Sequence, residues 1–246
     1  MKDLGHYIER INRVKTPDEA FKIFCEAMNG EGYDRIAYTL CTDHPSLKLP
    51  RQHGLATSYP EEWMKYYVEN NYMNVDPVIK QLLASRKPFF WDDVTAHPET
   101  ATDAVQLMNE AAECRVRDGI GISLAGKPGE IVGIGLARSD AQPGRDYEFM
   151  ARAYLLGVYF HETYRSMLEE QVKVNLSERE REILCWAAEG KTDEDIGTLL
   201  NISSPTVRFH WRNIFTKLEA NGRVYAITKA IRLQLIVPQM VTYQKR

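Results

Sequence analysis

Cysteine is scarce in this chain of 246 residues, and its four copies, Cys25, Cys41, Cys114 and Cys185, are scattered. No C-x-x-C pair occurs and no histidine stands at ligand spacing, so the pattern suggests neither a zinc site nor a disulfide framework. Buried free thiols are the expectation. Long apolar runs are also missing: the longest, near residues 154–160, falls well short of the ~20 residues that span a bilayer. The opening "MKDLGHYIERINRV" lacks the basic-then-apolar pattern of a secretory signal and reads as an amphipathic helix. A cytoplasmic protein with no membrane partner is therefore expected. There is no internal repeat and no low-complexity tract. The length allows a large domain plus a small one.

Acidic excess is absent from the second half. The formal charge of −3 hides 12 Lys/Arg against 8 Asp/Glu from position 171 onward, which leaves 19 against 26 before it. Such a split hints at an anionic partner for the positive part, although a solvated basic face would look the same.

The front part mixes helices and strands. "TPDE" at 16–19 offers Thr16 as N-cap, Pro17 at the first helical position and Glu19 as capping-box partner of a helix that stops at Asn29-Gly30. "RIAYTLCT" is strand-like, "YPEEWMKYYVENN" and "DPVIKQLLAS" are helical, "KPFFWDDV" is extended, and "TDAVQLMNEAAECRV" is helical again. "GIGISLAG" and "EIVGIGLAR" flank Pro128-Gly129, which suits a type II turn, so they form a hairpin. A long helix over about 146–170 closes the domain. Strands in the middle with helices around them imply an α/β/α sandwich with an antiparallel sheet. The domain is expected over 1–170, with a linker at 171–175.

Residues 176–246 look all-helical. Ser177 with Glu180 makes a capping box, Gly190 a C-terminal stop and Thr192 the next cap. In "NISSPTVRFHWRNIFTKL", a hydroxyl of Ser203 or Ser204 caps a helix with Pro205 at its first position. At ~100° per residue, Val207, Trp211, Ile214 and Leu218 form the packing stripe, while Arg208, Phe209, Arg212, Asn213 and Thr216 spread over the outer side. Two arginines four apart can each donate a bidentate pair to guanine or clamp a phosphate. Ser204, Thr206, His210 and Asn213 add shorter polar groups, and Phe209 can meet a thymine methyl. A short helix, a tight turn and a Ser-Pro-opened helix with a basic outer face form a helix-turn-helix within a four-helix bundle.

The stretch "LSEREREILCWAAEGKTDEDIGTLLNISSPTVRFHWRNIFTKL" resembles the DNA-binding domain of the LuxR family of bacterial regulators. Glu180, Leu184 and Gly190 stand at the spacing of that family's most constant trio, and their own chemistry assigns them structural roles as cap, core and stop. The resemblance implies a third helix that reads bases, a last helix around 225–233 that helps dimerise, and a palindromic double-stranded DNA operator. RNA polymerase enters as a candidate partner. The segment after residue 236 has no assigned role.

In the front part, Tyr59, Trp63 and Tyr67 recur every four residues and so share one helix face, followed by Asp76-Pro77. The stripe reads either as core or as the wall of a ligand chamber, and Asp76 as a turn or N-cap residue. A small amide-containing lactone would suit such a chamber: indole donates, phenol does either, and carboxylate only accepts. Trp63, Tyr59 and Asp76 would match two carbonyls and an N–H, while Tyr67 and Trp91 supply apolar wall. These positions, with Gly119, resemble those of LuxR-type receptors for acyl-homoserine lactones. That resemblance implies that Trp63 bonds the lactone carbonyl, Asp76 the amide N–H and Tyr59 the acyl carbonyl. Gly135 stands where many members carry Ser or Thr, and Val78 where a threonine often stands, which admits a different or bulkier acyl group.

Enzymatic readings fail on spacing. "GKT" at 190–192 has Cys185 where a phosphate loop needs glycine, "HETYR" lacks the second histidine of a zinc protease, and Ser123 lacks the elbow glycine. A phosphorylated receiver would need an acidic cluster on an early strand, which "RIAYTLCT" lacks. A ligand-responsive homodimeric transcription regulator without a resident cofactor is the expectation, its inducer an N-acyl-homoserine lactone; a solitary regulator answering another small molecule, or folding without one, is the alternative.

Overall fold

A computed structural model of the chain describes residues 3–45, 47–95, 101–140, 144–168 and 174–237. They contain α1 (Leu4–Arg13), α2 (Pro17–Asn29), β1 (Arg35–Leu40), β2 (Gln52–Thr57), α3 (Glu61–Glu69), α4 (Pro77–Ala84), β3 (Phe89–Phe90), α5 (Asp92–Thr95), α6 (Thr102–Glu113), β4 (Arg117–Ala125), β5 (Ile131–Arg138), α7 (Tyr147–Leu168), α8 (Glu178–Ala188), α9 (Asp193–Leu200), α10 (Ser204–Leu218) and α11 (Arg223–Arg232). By contact the chain divides into two units, 1–126 with 130–170 and 127–129 with 171–246. Part of the expected linker, 171–173, and most of the tail, 238–246, lie outside the described residues.

The first unit is built on an antiparallel sheet in the order β2-β1-β5-β4-β3. Alternation along the strands makes its faces chemically different. Ile36, Tyr38 and Leu40 of β1, Ile120, Ile122 and Leu124 of β4, and Val132, Ile134 and Leu136 of β5 pack with α1, α2 and α7 in one apolar core. Successive side chains of a strand point to opposite faces, and the intervening residues are small. One row across the sheet reads Ala37, Gly135, Gly121 and the next Thr39, Gly133, Ser123. On this face sits a second core, carrying Trp63 and Tyr67 of α3, Val78, Ile79 and Leu82 of α4, Phe89 and Trp91, and Leu107 and Ala111 of α6, with Tyr59, which precedes α3 and so does not share its helix face as the spacing implied.

The small face is what lets large side chains lie down on the sheet. A Cβ at Gly119 would stand 2.2 Å from the Trp91 ring, at Gly121 2.3 Å from Phe89, and at Gly133 2.4 Å from Leu82. The Ser123 hydroxyl donates to the Leu82 carbonyl at 2.8 Å and ties α4 to the same floor.

Local signals behave mostly as chain chemistry dictates. Thr16 caps α2 with Pro17 at its first position, but the Glu19 carboxylate accepts from the Lys15 N–H and not from its expected partner at Thr16. Gly129 has φ +86°, as the third position of a type II turn requires. "KPFFWDDV" is extended only at Phe89–Phe90 before α5 begins. Strand β2 was not anticipated: "QHGLAT" lacks apolar alternation, and Gly54 adopts φ +63° where the β1–β2 register shifts. The four cysteines are free, with Cys41 buried.

Gly119→Ala is expected to destabilise the protein by about 1–3 kcal/mol through overpacking against Trp91. Gly30→Ala, whose Cβ meets nothing nearer than 3.7 Å in ordinary right-handed backbone, should shift stability by less than about 0.5 kcal/mol. Urea unfolding of both variants checks the pair; equal losses would contradict the packing argument.

Candidate ligand chamber and nucleic-acid interface

Between the small sheet face and α3, α4 and α6 lies a narrow cavity of about 30 Å³, lined among others by Thr39, His53, Tyr59, Trp63, Tyr67, Asp76, Trp91 and Gly135. The structure thus brings together all six residues expected to meet a ligand. Tyr59, Trp63, Tyr67, Asp76 and Trp91 are buried.

Asp76 is the polar hub. It caps α4, its Oδ1 accepting from the N–H groups of Val78 at 2.7 Å and Ile79 at 3.3 Å. Its Oδ2 accepts from the Tyr67 hydroxyl at 2.7 Å. Tyr67, expected as apolar wall, is therefore also a polar positioning group. A carboxylate offers about four acceptor sites, so these three bonds leave one unused on a residue that lines the cavity. Burial pushes the Asp76 carboxyl above its ordinary range, against the Tyr67 hydroxyl, the two amides and Lys80, which pull it down. Burial and the adjacent carboxylate also push the Tyr59 and Tyr67 phenols up, so both remain protonated donors.

Gly135 faces Tyr59: a Cβ there would lie 2.9 Å from the phenol oxygen and 3.6 Å from the Trp91 ring. The missing side chain at this position is what admits the Tyr59 hydroxyl to the cavity floor. Trp91 keeps its expected place in the wall, yet its indole Nε1 is buried with no hydrogen-bond partner. His53 of β2, absent from the sequence expectations, stacks on Tyr67 with ring centroids 4.2 Å apart. Recognising β2 as a strand next to "RIAYTLCT" was the signal that could have placed it. Trp91, Met108 and Val116 separate this cavity from a wider one of about 480 Å³ lined by Tyr33, Arg117, Arg138 and Arg145.

The second unit folds around Leu176, Ile183, Leu184, Ile196, Val207, Trp211, Ile214, Leu218 and Ala226. The expected capping box of Ser177 with Glu180 is present, and Thr192, expected as a cap, completes a second one with Asp195. Gly190 follows α8 with φ +79°, and the Gly190 and Lys191 amides close the helix end on Ala187 and Trp186. The turn between α9 and α10 depends on close approach: a Cβ on Gly197 would lie 2.7 Å from the Ile202 carbonyl oxygen.

Helix α10 begins one residue earlier than Pro205 suggested. Ser203 is the N-cap and Ser204 the first helical residue, which puts Pro205 second. The Thr206 hydroxyl is tied to Ser203 Oγ at 2.8 Å, so it belongs to the cap as much as to the outer face. Val207, Trp211, Ile214 and Leu218 are buried as the stripe implied. Arg208, Phe209 and Arg212 are exposed, while Ser204, Thr206, His210 and Asn213 are half-buried. The neighbouring Asp193 is occupied: its Oδ1 accepts from Trp211 Nε1 at 3.1 Å and from Arg223 at 2.9 Å. No ion pair engages Arg208 or Arg212 among the described residues, which leaves two guanidinium groups turned outward from the first turns of one helix.

Glu180 is buried and bonds Lys217 Nζ of α10 at 2.7 Å in addition to capping α8. It thus holds the first helix of the unit to the third.

A sensing chamber on one unit and a helix-turn-helix with an exposed basic helix on the other define a ligand-responsive transcription regulator. Residues 16–164 match the autoinducer binding domain family and residues 174–230 the bacterial regulatory proteins of the luxR family. The chain belongs to the LuxR family of quorum-sensing transcriptional regulators, which is not a family of enzymes. It is 31% identical over 236 residues to the transcriptional activator protein BjaR1 of Bradyrhizobium diazoefficiens, covering 94% of this chain and 95% of that protein. It is 30% identical over 236 residues to the transcriptional activator protein PhzR of Pseudomonas fluorescens, covering 88% and 93%. The crystal structure of Escherichia coli SdiA superposes with a TM-score of 0.78 at 25% identity, covering 95% of this chain and 98% of that one.

Burial pushes the Glu180 carboxyl up, but Lys217 and the Ser177 amide outweigh it and hold it below its ordinary value. Its contribution is therefore present above the ordinary carboxyl range and lost as pH falls through the depressed one. Glu180→Gln should cost about 1–3 kcal/mol at pH 7, and the gap to the unsubstituted protein should shrink on acidification. Thermal unfolding at pH 7 and at acid pH measures it; a gap independent of pH would contradict the assignment.

Proposed function

We propose that the inducer is an N-acyl-homoserine lactone held in the chamber above the small sheet face, and that its binding controls how a homodimer grips a palindromic operator. The observation that carries this reading is the donor and acceptor set around one apolar cavity. Asp76 keeps one acceptor site, Tyr59 presents a protonated hydroxyl, and Trp63 presents an indole N–H that can only donate. An acyl-homoserine lactone offers the complement: one amide N–H for Asp76, an acyl carbonyl for Tyr59 and a lactone carbonyl for Trp63. Tyr67 holds Asp76 in place, and Trp91 lies against the ligand body.

The cavity of about 30 Å³ holds roughly one water, so a lactone enters only as wall side chains swing aside. Met108 suits that role. It is unbranched and adaptable, and it borders both the chamber and the wider cavity beside it. Ligand then replaces protein contacts inside the core, which links binding to stability.

In the second unit α10 enters the major groove, with Arg208 and Arg212 on bases or phosphates and Ser204, Thr206, Phe209, His210 and Asn213 around them. Helix α11 leaves Val224 and Tyr225 exposed, 79% and 51%, an apolar surface suited to pairing two copies. A two-fold dimer places recognition helices about one DNA turn, roughly 34 Å, apart. The protein acts in the cytoplasm, and RNA polymerase is its downstream partner.

Mass spectrometry of full-length protein purified from cells supplied with candidate lactones tests the ligand. Stoichiometric recovery of a lactone is expected; recovery of a different molecule, or a stable ligand-free dimer that binds DNA, would overturn the assignment. Asp76→Ala should abolish the response to inducer, and an unshifted dose-response curve would remove Asp76 from the chamber.

Once in vitro selection has supplied an operator, Arg208→Ala and Arg212→Ala should each weaken specific binding by about 1–3 kcal/mol if the arginine reads a base. Wild-type affinity and selectivity in both variants would contradict the docking.

A further inference from the structure

His53 is a group in the chamber that the lactone reading does not use. Its ring stacks on Tyr67 at 4.2 Å and lies 6.0 Å from the Tyr59 ring. Its Nδ1 is 3.0 Å from Thr39 Oγ1, and its Nε2 is buried without a partner. Thr39 settles which nitrogen carries the proton. The Gly54 N–H donates to Thr39 Oγ1 at 3.3 Å, so the hydroxyl oxygen already accepts one bond. That oxygen has room for a second bond, but the hydroxyl hydrogen has no acceptor other than His53 Nδ1 among the described residues, and donating there leaves Nδ1 unprotonated. The proton of the neutral ring is therefore on Nε2, and that N–H is an unsatisfied donor. Burial holds the imidazole down to about 4, so the ring is neutral at physiological pH.

A buried donor without a partner is costly, and a ligand acceptor would recover that cost. The position of that acceptor on the ligand follows from the neighbours. Tyr59, assigned to the acyl carbonyl, adjoins His53, so the free N–H lies along the acyl chain and not at the lactone ring. We infer that His53, fixed in its Nε2–H form by Thr39, is a specificity-determining residue that selects an acyl chain bearing an acceptor oxygen beyond the amide, such as a keto or hydroxyl oxygen. This rests on the lactone reading and refines it by naming the class of acyl group. It also gives a reason for Gly135: with no hydroxyl on the central strand, the polar contact to the chain comes from the edge strand β2.

The test is a competition between two lactones that differ in one oxygen. Cells producing the full-length chain receive equal amounts of N-octanoyl- and N-(3-oxooctanoyl)-L-homoserine lactone, and mass spectrometry of the purified protein reads the ratio retained. The unsubstituted protein should favour the oxo compound by about fivefold, the scale of one neutral hydrogen bond. His53→Phe, which keeps the stacking on Tyr67 but removes the donor, should bring the ratio close to one. His53→Gln, which restores an N–H, should keep part of the preference. A ratio near one in the unsubstituted protein, or a preference that survives His53→Phe, would overturn the role of His53 while leaving the lactone reading intact. Retention of neither compound by the unsubstituted protein would overturn the lactone reading, and this inference with it. Should His53→Phe prove insoluble, the unsubstituted ratio and that of Thr39→Val, which frees the tautomer and should lower the preference, decide the matter.

Discussion

The inequality of the two sheet faces is the constraint from which the rest of the sensing unit follows. Large β-branched and aromatic residues on one face seal it against α1, α2 and α7, and glycine, alanine and serine alternate with them on the other. A sheet face floored by such small residues cannot fill its own core. The volume is supplied instead by Trp91, Phe89, Leu82 and Tyr59, laid flat on the floor from helices and an edge segment. A core assembled from side chains that project from the periphery has fewer fixed partners than an interdigitated one. It can part around a guest, and the polar groups among those side chains decide which guest is accepted.

Asp76 joins structure to recognition within that core. One oxygen stops the fraying of α4 and the other holds Tyr67, which in turn stacks on His53. Buried polar networks of this kind are costly when partly satisfied. The remaining acceptor site on Asp76 and the orphaned N–H groups of Trp91 and His53 all describe the same shortage. The DNA-binding unit follows the opposite logic. Its polar groups are consumed internally, in two capping boxes, the Glu180–Lys217 pair and the Asp193 contacts. On the outward face of α10, Arg208 and Arg212 stand without an ion pair among the described residues.

Much of this was legible in the sequence because the signals were local. Thr16, Ser177, Thr192 and Ser203 mark helix starts by chemistry that needs no tertiary context, and the stripe of Val207, Trp211, Ile214 and Leu218 names its buried side by spacing alone. Spacing put Tyr59, Trp63 and Tyr67 on one helix face but could not separate core from chamber; the structure buries all three around the cavity and leaves Tyr59 ahead of α3, before Pro60. What escaped was non-local. Strand β2 exists because β1 offers it an edge, not because "QHGLAT" has strand character, and His53 went with it. The pairing of Tyr67 with Asp76 escaped for a similar reason: nine residues apart and on different helices, they meet only when α3 and α4 pack on the same glycines.

The central claim is that a small molecule completes the core on one face of the sheet and leaves the other face as it was. Amide hydrogen exchange of the full-length protein, with and without a lactone that it retains, tests this most directly. Exchange should slow in α3, α4 and α6 upon binding while α1, α2 and α7 keep their rates. Equal protection across both faces, or protection confined to α1, α2 and α7, would contradict the account.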